Sequence, residues 1–212
     1  MKLLFLFFPL SYLFCQDIGF VGDSITKSGY NIFIESHLED YKTYNFGVEG
    51  ISVAMPGLKY GETKEYQDIL KLAPQHIVMM LGTNDVRPFY YLDELWKIYW
   101  GIEYWFLVDR FIKDSKVMLC TIPYQLGNIS VVDRINDKIH NIAKDFGLEV
   151  ADINAALGSN PEYFMEDGVH PNVDGIQIMA EEVLKHLTPE YLNSDYEEQK
   201  RVGWFGCQLI TN

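Results

Sequence analysis

The sequence predicts an α/β domain with three layers, in which a five-stranded parallel sheet lies between two layers of helices. Apolar runs alternate along the chain with segments whose apolar residues recur at helical spacing, and this alternation is typical of a parallel sheet with both faces covered. The chain of 212 residues is long enough for one such domain, and 48% of its residues are hydrophobic, which supplies a sizeable core. A disordered or fibrous protein is therefore excluded.

The predicted strands are short apolar runs bounded by residues that favour turns. The run at 76–81 is continuous, as expected of a strand buried on both faces, and Pro123 closes the run that begins at Lys116. The five predicted strands span residues 17–22, 41–46, 76–81, 116–122 and 148–153. Right-handed crossovers leave few topologies for such a chain, and a flavodoxin-like strand order is the one we expect.

The predicted helices lie between the strands and after the last one. Their apolar residues recur mostly at steps of three or four, which marks helices with one face on the sheet. They span residues 30–38, 65–72, 93–113, 132–146 and 176–187. In the first helix, Ile32, Phe33 and Leu38 are the expected inward residues.

The helix at 93–113 is unusually rich in aromatic residues. Packing against the sheet or a contact between subunits would explain them, and a platform for a sugar or a lipid is the alternative. The aromatic residues are Trp96, Tyr99, Trp100, Tyr104 and Trp105.

The balance of charges limits the partners of the domain. The formal net charge is −13 at pH 7. Such a surface repels the phosphates of nucleic acids and the headgroups of anionic lipids. We therefore expect no nucleic-acid partner and no stable insertion into a membrane, whereas the sequence leaves the oligomeric state open.

Both ends of the chain differ from the domain, which we expect to span residues 16–188. Lys2 is followed by an apolar run as far as Cys15, a pattern typical of a secretory signal peptide and shorter than the roughly 20 residues of a membrane span. We therefore predict a signal peptide at 1–15 and a secreted or periplasmic protein. The alternative is a buried N-terminal strand in a cytoplasmic protein. Residues 189–212 form an extension whose role the sequence leaves open.

Three cysteines are present in the chain. Removal of the leader with Cys15 would leave Cys120 and Cys207, whose pairing the sequence leaves open. Cys120 lies within an apolar run, which is also typical of an inert core thiol. No cluster of cysteine and histidine has the spacing of metal ligands, so the sequence does not support a structural zinc site.

Four short segments stand out, three of them directly after a predicted strand. Because the carboxyl ends of parallel strands meet at one edge of the sheet, segments far apart in the chain can form one site there. Taken singly, each is typical of an ordinary turn or helix cap, but their joint occurrence indicates a site. The segments are Gly22-Asp23-Ser24-Ile25-Thr26, Asn45-Phe46-Gly47-Val48-Glu49-Gly50, Gly82-Thr83-Asn84-Asp85 and Asp167-Gly168-Val169-His170-Pro171.

The residue types in these segments suit the hydrolysis of an ester. Ser24 lies where a strand turns into a helix, and its hydroxyl becomes a nucleophile once a base removes the proton. His170 is the only histidine that lies among turn residues beside a carboxylate, so it is the candidate base. Asp167, three residues earlier, would hold the imidazole in the right tautomer and stabilise its charged form. The other histidines are expected to be surface or structural residues: His37, His76, His140 and His186.

The negatively charged oxygen of a tetrahedral intermediate needs fixed hydrogen-bond donors. The candidates are the backbone N–H groups of Ser24 and Gly50 and the side-chain amide of Asn84. Glycine suits its position because no side chain blocks the approach of a substrate. Asp23 and Asp85 are expected to support their own turns by hydrogen bonds.

With these four segments in this order, the chain resembles the SGNH (GDSL-type) hydrolase superfamily over residues 17–188. The set of four is far more specific than any single segment. The resemblance implies a flavodoxin-like α/β/α fold, the absence of a cofactor, and the hydrolysis of esters or thioesters, on substrates that range from acetylated sugars to lysophospholipids. Ile51 stands where many relatives have a small or polar residue, which leaves the shape of the pocket in question.

The resemblance also assigns roles to the five candidate residues. Ser24 matches the nucleophile, whose backbone N–H also serves the oxyanion. Gly50 and Asn84 match the other two oxyanion donors. Asp167 and His170 match the pair that takes the proton of the nucleophile.

The function that we expect is removal of a small acyl group, acetyl in the first place, from a carbohydrate or another small ester. The predicted leader indicates export, where acetylated glycans occur, and no long segment that could cover a lipid chain is evident. The small members of the superfamily commonly deacetylate sugars, which is an argument by analogy. A lysophospholipase or acyl-thioesterase is the alternative enzyme. A binding protein without catalysis is disfavoured, because all five positions are filled.

Overall fold

The computed structural model describes residues 16–38, 40–92, 94–125 and 127–194. The predicted signal peptide at 1–15 and most of the predicted extension, with Cys207, lie outside the described residues. Within the described residues, parallel strands form one sheet in the order β2-β1-β3-β4-β5. The strands are β1 (Gln16–Gly22), β2 (Tyr41–Gly47), β3 (His76–Met80), β4 (Lys116–Cys120) and β5 (Val150–Ala151). This sheet confirms the predicted α/β class and the flavodoxin-like order.

The helices follow the strands in the predicted alternation, with several short ones added. None of the described helices is long and apolar enough to cross a membrane. The described helices are α1 (Ser24–Lys27), α2 (Tyr30–Glu35), α3 (Lys64–Leu72), α4 (Val86–Tyr91), α5 (Glu94–Phe111), α6 (Ile129–Phe146), α7 (Ile153–Leu157), α8 (Val173–His186) and α9 (Pro189–Asn193).

Consecutive residues of β1 show that helices cover both faces of the sheet. Phe20 packs edge-on against Tyr30 of α2, with 5.3 Å between ring centroids. On the other face, a Cβ added to Gly19 would lie 2.8 Å from a methyl carbon of Ile69 on α3. Helix α8 contacts both α2 and α7. Ring contacts link α3 to α5 and α5 to α6: Tyr66 with Phe111, and Trp105 with Phe146.

The carboxyl ends of the three strands that precede candidate segments lie side by side. Gly22, the last residue of β1, pairs with Gly47 on β2 and with Met80 on β3. The chain leaves the sheet at these three neighbouring points. The three segments that follow therefore start at the same edge, as the strand pattern predicts.

The predicted inward residues of the first helix are wrong at Ile32 and Phe33, whereas Leu38 is partly buried and packs against the core as predicted. Ile32 is 70% exposed and Phe33 is 37% exposed, whereas Tyr30 and Ile34 are buried. The physical reason is that α2 ends at Glu35 and is oriented by the contact of Tyr30 with the sheet. Two turns of helix are too short for the apolar pattern to define a face on its own.

Other elements also differ from their predicted bounds, among them the helix at 93–113 and the fourth and fifth strands. The predicted helix at 93–113 is shorter than expected, and a separate helix, α4, precedes it. The fourth strand ends at Cys120, before the predicted 122. The fifth has only two residues, because the Oδ1 atom of Asp152 accepts a hydrogen bond from the N–H of Ala155 at 3.1 Å and starts α7.

The first part of the C-terminal extension packs against the domain. Leu192 on α9 is buried, and the Nζ atom of Lys116 donates a hydrogen bond to the backbone oxygen of Tyr191 at 2.6 Å. Helix α9 therefore covers the amino ends of the strands. This is the edge of the sheet opposite to the four candidate segments.

Candidate active site

Two residues 146 positions apart in the chain meet at the carboxyl edge of the sheet. The Oγ atom of Ser24 lies 2.9 Å from Nε2 of His170. The Nδ1 atom of the same ring lies 2.6 Å from Oδ2 of Asp167. An ionised carboxylate can only accept, so Nδ1 carries the proton and Nε2 is left as an acceptor for the serine hydroxyl. This is the arrangement in which an imidazole can remove a proton from a serine.

The position of Ser24 follows from the sharp turn between β1 and α1. Asp23 caps the helix, because its Oδ1 atom accepts a hydrogen bond from the N–H of Ile25 at 3.0 Å. A Cβ added to Gly22 would lie 1.9 Å from the Oγ1 atom of Thr26 and 2.6 Å from the backbone oxygen of Met80. Only glycine fits there, so the turn that presents Ser24 depends on it.

The loop before α8 holds His170 in place through Asp167. The Oδ1 atom of Asp167 accepts hydrogen bonds from the N–H groups of Val169 at 2.9 Å and His170 at 3.0 Å. Gly168 has a φ of +66°, a conformation that favours glycine and lets the loop curl around the carboxylate. The N–H of His170, then the N–H of Val169 and the imidazole, lower the pKa of Asp167 to about 2. The carboxylate is therefore ionised at neutral pH, as required of a group that orients and stabilises a charged imidazole.

Asn45 ties the second segment to the first. Its Nδ2 atom donates hydrogen bonds to the backbone oxygen of Thr26 at 2.7 Å and to Oδ1 of Asn31 at 2.8 Å. Its Oδ1 atom accepts from the N–H of Gly47 at 2.9 Å. A Cβ on Gly47 would lie 2.3 Å from the backbone nitrogen of Lys27, so the close approach of the two segments requires this glycine.

Asn84 is connected to the Gly50 loop by a hydrogen bond to Ile51, the residue after Gly50. Gly50 has a φ of +68°, and the space beside its Cα is open, since an added Cβ would meet no atom within 4 Å. The Nδ2 atom of Asn84 donates to the backbone oxygen of Ile51 at 2.8 Å. An amide nitrogen carries two hydrogens, so one N–H holds the Gly50 loop and a second remains for a substrate oxygen.

Asp85 has a role that the sequence prediction misses. It was expected to support its own turn, but its side chain crosses to the segment after Gly50 instead. Its Oδ1 atom accepts from the Oγ of Ser52 at 2.5 Å, and its Oδ2 atom accepts from the N–H of Val53 at 3.0 Å. The Oγ of Ser52 in turn accepts from the N–H groups of Ala54 and Met55. No local signal in Gly-Thr-Asn-Asp indicates this long-range contact.

Asn84 and Asp85 therefore both hold the Gly50 loop by hydrogen bonds, Asn84 through Ile51 and Asp85 through residues 52–53. The hydrogen bonds of Asp85 to residues 52–53 form a brace behind this loop. Burial raises the pKa of Asp85 to about 6. Burial also raises the pKa of Asp23 to about 6, and the nearby Asp85 adds to this shift. Two buried acids thus lie in the turns behind the candidate nucleophile and the candidate oxyanion donors.

The described part of the chain contains no group of three or more His, Cys, Asp or Glu side chains that could hold a metal ion. The chemistry that the site itself offers is a nucleophile, a base and hydrogen-bond donors. Arg87, which follows the oxyanion segment, is exposed. Cys120 is buried in the core, where burial raises the pKa of its thiol.

A family model and two relatives match most of the chain. The model of the GDSL-like lipase/acylhydrolase family matches residues 20–178. An acetylxylan esterase of Xylanibacter ruminicola is 28% identical over 195 residues, which cover 77% of this chain and 39% of that protein. A multidomain esterase of Ruminococcus flavefaciens is 27% identical over 75% of this chain and 22% of its own length. The chain thus spans less than half the length of these relatives.

Solved structures share the fold. The acetylxylan esterase Axe2 of Geobacillus stearothermophilus superposes with a TM-score of 0.68 at 20% identity, over 85% of this chain and 95% of that one. A G-D-S-L family protein of Veillonella parvula gives a TM-score of 0.66 at 22% identity, over 82% of this chain and 99% of that one. At such identities the likeness concerns the fold alone.

Proposed function

Because the chain belongs to the GDSL-like lipase/acylhydrolase family, which confirms the resemblance seen in its sequence, we propose that it hydrolyses carboxylic esters through an acyl-enzyme on Ser24. The observation that carries this proposal is the continuous line of hydrogen bonds from Ser24 through His170 to Asp167. The nucleophile, base and orienting acid of a serine hydrolase are thus in contact.

In the first half of the reaction, the Oγ of Ser24 attacks the ester carbonyl carbon while its proton passes to Nε2 of His170. The carbonyl oxygen becomes negatively charged and accepts hydrogen bonds from Ser24, Gly50 and Asn84. The bond to the alcohol oxygen then breaks, and His170 returns the proton to that oxygen.

In the second half, water replaces the alcohol. His170 takes a proton from the water as the water oxygen attacks the acyl carbon of the ester on Ser24. A second tetrahedral intermediate collapses, the bond to Oγ breaks, and the proton returns to Ser24. Asp167 remains ionised throughout and stabilises the imidazolium in each half.

We infer that the acyl group is acetyl and that the alcohol is part of a carbohydrate. One relative with sequence similarity is named as an acetylxylan esterase, which supports this substrate class.

Rates on p-nitrophenyl esters of increasing chain length test the acyl preference, with Ser24→Ala as the control for background hydrolysis. We expect the highest kcat/KM on the acetate and a steep fall toward the octanoate. Rates that rise toward the octanoate would overturn the acetyl assignment in favour of a lysophospholipase or acyl-thioesterase. Release of acetate from acetylated xylan then tests whether the alcohol part of the substrate is a carbohydrate. We expect this release to be absent with Ser24→Ala.

Export remains a proposal that the fold supports in one respect. Strand β1 begins at Gln16, where it pairs with Tyr41, so cleavage near Cys15 would leave β1 intact. The intact mass of the protein recovered from its native host tests this. A mature chain that begins near Gln16 is expected, and a chain that retains residues 1–15 would contradict the proposal.

A further inference from the structure

Helix α5 exposes a continuous apolar stripe to solvent. On its inner side Trp100, Tyr104 and Val108 are fully buried. On its outer side large apolar residues recur at steps of three and four, and the preceding turn adds Leu92. The stripe consists of Leu92, Leu95, Ile98, Tyr99, Ile102 and Phe106, which are all classed as exposed, from 39% for Tyr99 to 73% for Leu95.

The exposed apolar area of this stripe is larger than that of apolar residues scattered singly on a protein surface. With about 200 Å² for each extended side chain, the six residues leave on the order of 600 Å² of apolar surface in water. That is at the upper limit of the largest apolar patch on a typical monomer. It is also about the apolar part of the roughly 800 Å² that each partner contributes to a stable interface.

We infer that the stripe is the dimer interface of this protein, with a second copy of the chain as its occupant. Residues 95, 99, 102 and 106 follow the spacing of a seam between two packed helices. Such a stripe is complementary to itself when two helices pack about a two-fold axis.

The dipole of α5 favours an antiparallel arrangement. Antiparallel packing places the first turn of one helix beside the last turn of the other, so the two helix dipoles are complementary. The charged side chains Glu94 and Arg110 of these turns are paired within the chain, with Lys97 and Asp114. The borders are also polar: Lys59 lies over the Tyr99 ring and pairs with Glu103 at 2.9 Å. An apolar centre with a polar rim is the usual composition of an interface.

The composition of the stripe argues against the two other occupants that the aromatic sequence suggests. A platform for sugars needs exposed ring faces, but Trp100 and Tyr104 are buried in the core and Trp105 is half-buried against Phe146. Most of what the helix exposes is aliphatic. A membrane surface is disfavoured because the net charge of −13 repels anionic lipids.

Sedimentation equilibrium of the full chain at micromolar concentrations tests the inference. The wild type should have twice the mass of one chain. Ile102→Lys and Phe106→Lys should each reduce it to the mass of one chain, because they place charges in the seam. The control is Ile32→Lys on α2, which changes an isoleucine outside the stripe that is more exposed than Ile102 and should leave the dimer intact. All variants should keep the circular dichroism and the p-nitrophenyl acetate activity of the wild type.

Three results would overturn the dimer. The first is a wild type that is monomeric at every concentration. The second is a dimer that resists both substitutions in α5 or dissociates equally with Ile32→Lys. The third is a monomer that binds vesicles of zwitterionic lipid, or acetylated xylan, through Ile102, which would assign the stripe to a lipid surface or a glycan instead.

Discussion

The carboxyl edge and the amino edge of the sheet each hold a histidine. One imidazole ring is partly exposed beside a carboxylate, and the other is buried near a cation. His170 lies at the carboxyl edge, partly exposed, with Asp167 on one ring nitrogen and Ser24 on the other. His76 begins β3 at the amino edge, where it is 4% exposed and close to the cation of Lys116. Burial and then Lys116 lower the pKa of His76 to about 4.

This comparison indicates that contacts, not residue type, distinguish the candidate catalytic histidine from a structural one. An imidazole that accepts a proton during a reaction needs a carboxylate to stabilise the charge, and His170 has one. A proton on His76 would be buried beside another positive charge. We therefore expect substitutions at the carboxyl edge to reduce catalysis and substitutions at the amino edge to change stability.

The largest expected effect comes from replacing the two histidines in parallel. His170→Gln removes the base and should lower kcat on p-nitrophenyl acetate at least roughly a thousandfold, about 4 kcal/mol in the barrier. His76→Gln should keep kcat within about threefold of the wild type, because that ring is at the opposite edge. Equal losses of kcat in the two variants would contradict the different roles assigned to the two histidines.

The next effect concerns the candidate oxyanion donor. Asn84→Ala removes one N–H from the developing negative charge and should raise the barrier by about 3 kcal/mol, which appears as a fall in kcat. Its free energy of unfolding should change by less than about 1 kcal/mol, because Asn84 is only partly buried. A rise in KM with kcat unchanged would show instead that Asn84 binds the substrate in its ground state.

The pH dependence of stability tests the amino edge. Because the folded pKa of His76 is about 4 and its usual value is about 6.5, protonation favours the unfolded chain. The fold therefore loses stability as the pH falls through the interval from about 6.5 to about 4. Urea unfolding at pH 7 and pH 5 should show that His76→Gln loses about 2 kcal/mol less than the wild type over this change. The buried carboxylates are present in both proteins, so their contribution cancels.

A wild type and a His76→Gln variant with the same change between pH 7 and pH 5 would contradict this account of the amino edge. The ring would then be hydrated or paired with an acid in solution.

The smallest expected effect on catalysis is that of the brace behind the Gly50 loop. Asp85→Asn keeps one oxygen acceptor but replaces the other with a donor that cannot accept from Ser52 or Val53. We expect kcat to fall about tenfold, about 1.4 kcal/mol, with KM nearly unchanged, because the loop moves relative to Ser24. Ser52→Ala, which removes the other partner of this brace, should give a similar split. A rise in KM with kcat unchanged would show that Asp85 shapes the binding of the substrate rather than the oxyanion donors.

The sequence allows much of the fold and the composition of the site to be predicted, because both depend on local patterns. Buried strands are continuous apolar runs, and parallel strand ends converge, so Ser24 and Asn84 could be assigned to one edge. The inward face of α2 could not be predicted, since the packing of Tyr30 on the sheet sets it. The brace by Asp85 could not be predicted either, because it joins residues about 30 positions apart in irregular segments.

Mass spectrometry of the protein after incubation with a phosphonate ester tests the central claim most directly, because such esters trap an activated serine. The account predicts one adduct, on Ser24, in the wild type and in His76→Gln. It predicts no adduct in Ser24→Ala and at least a thousandfold slower labelling in His170→Gln. An adduct on another residue, or labelling of Ser24 that is as fast without His170 as with it, would contradict the account.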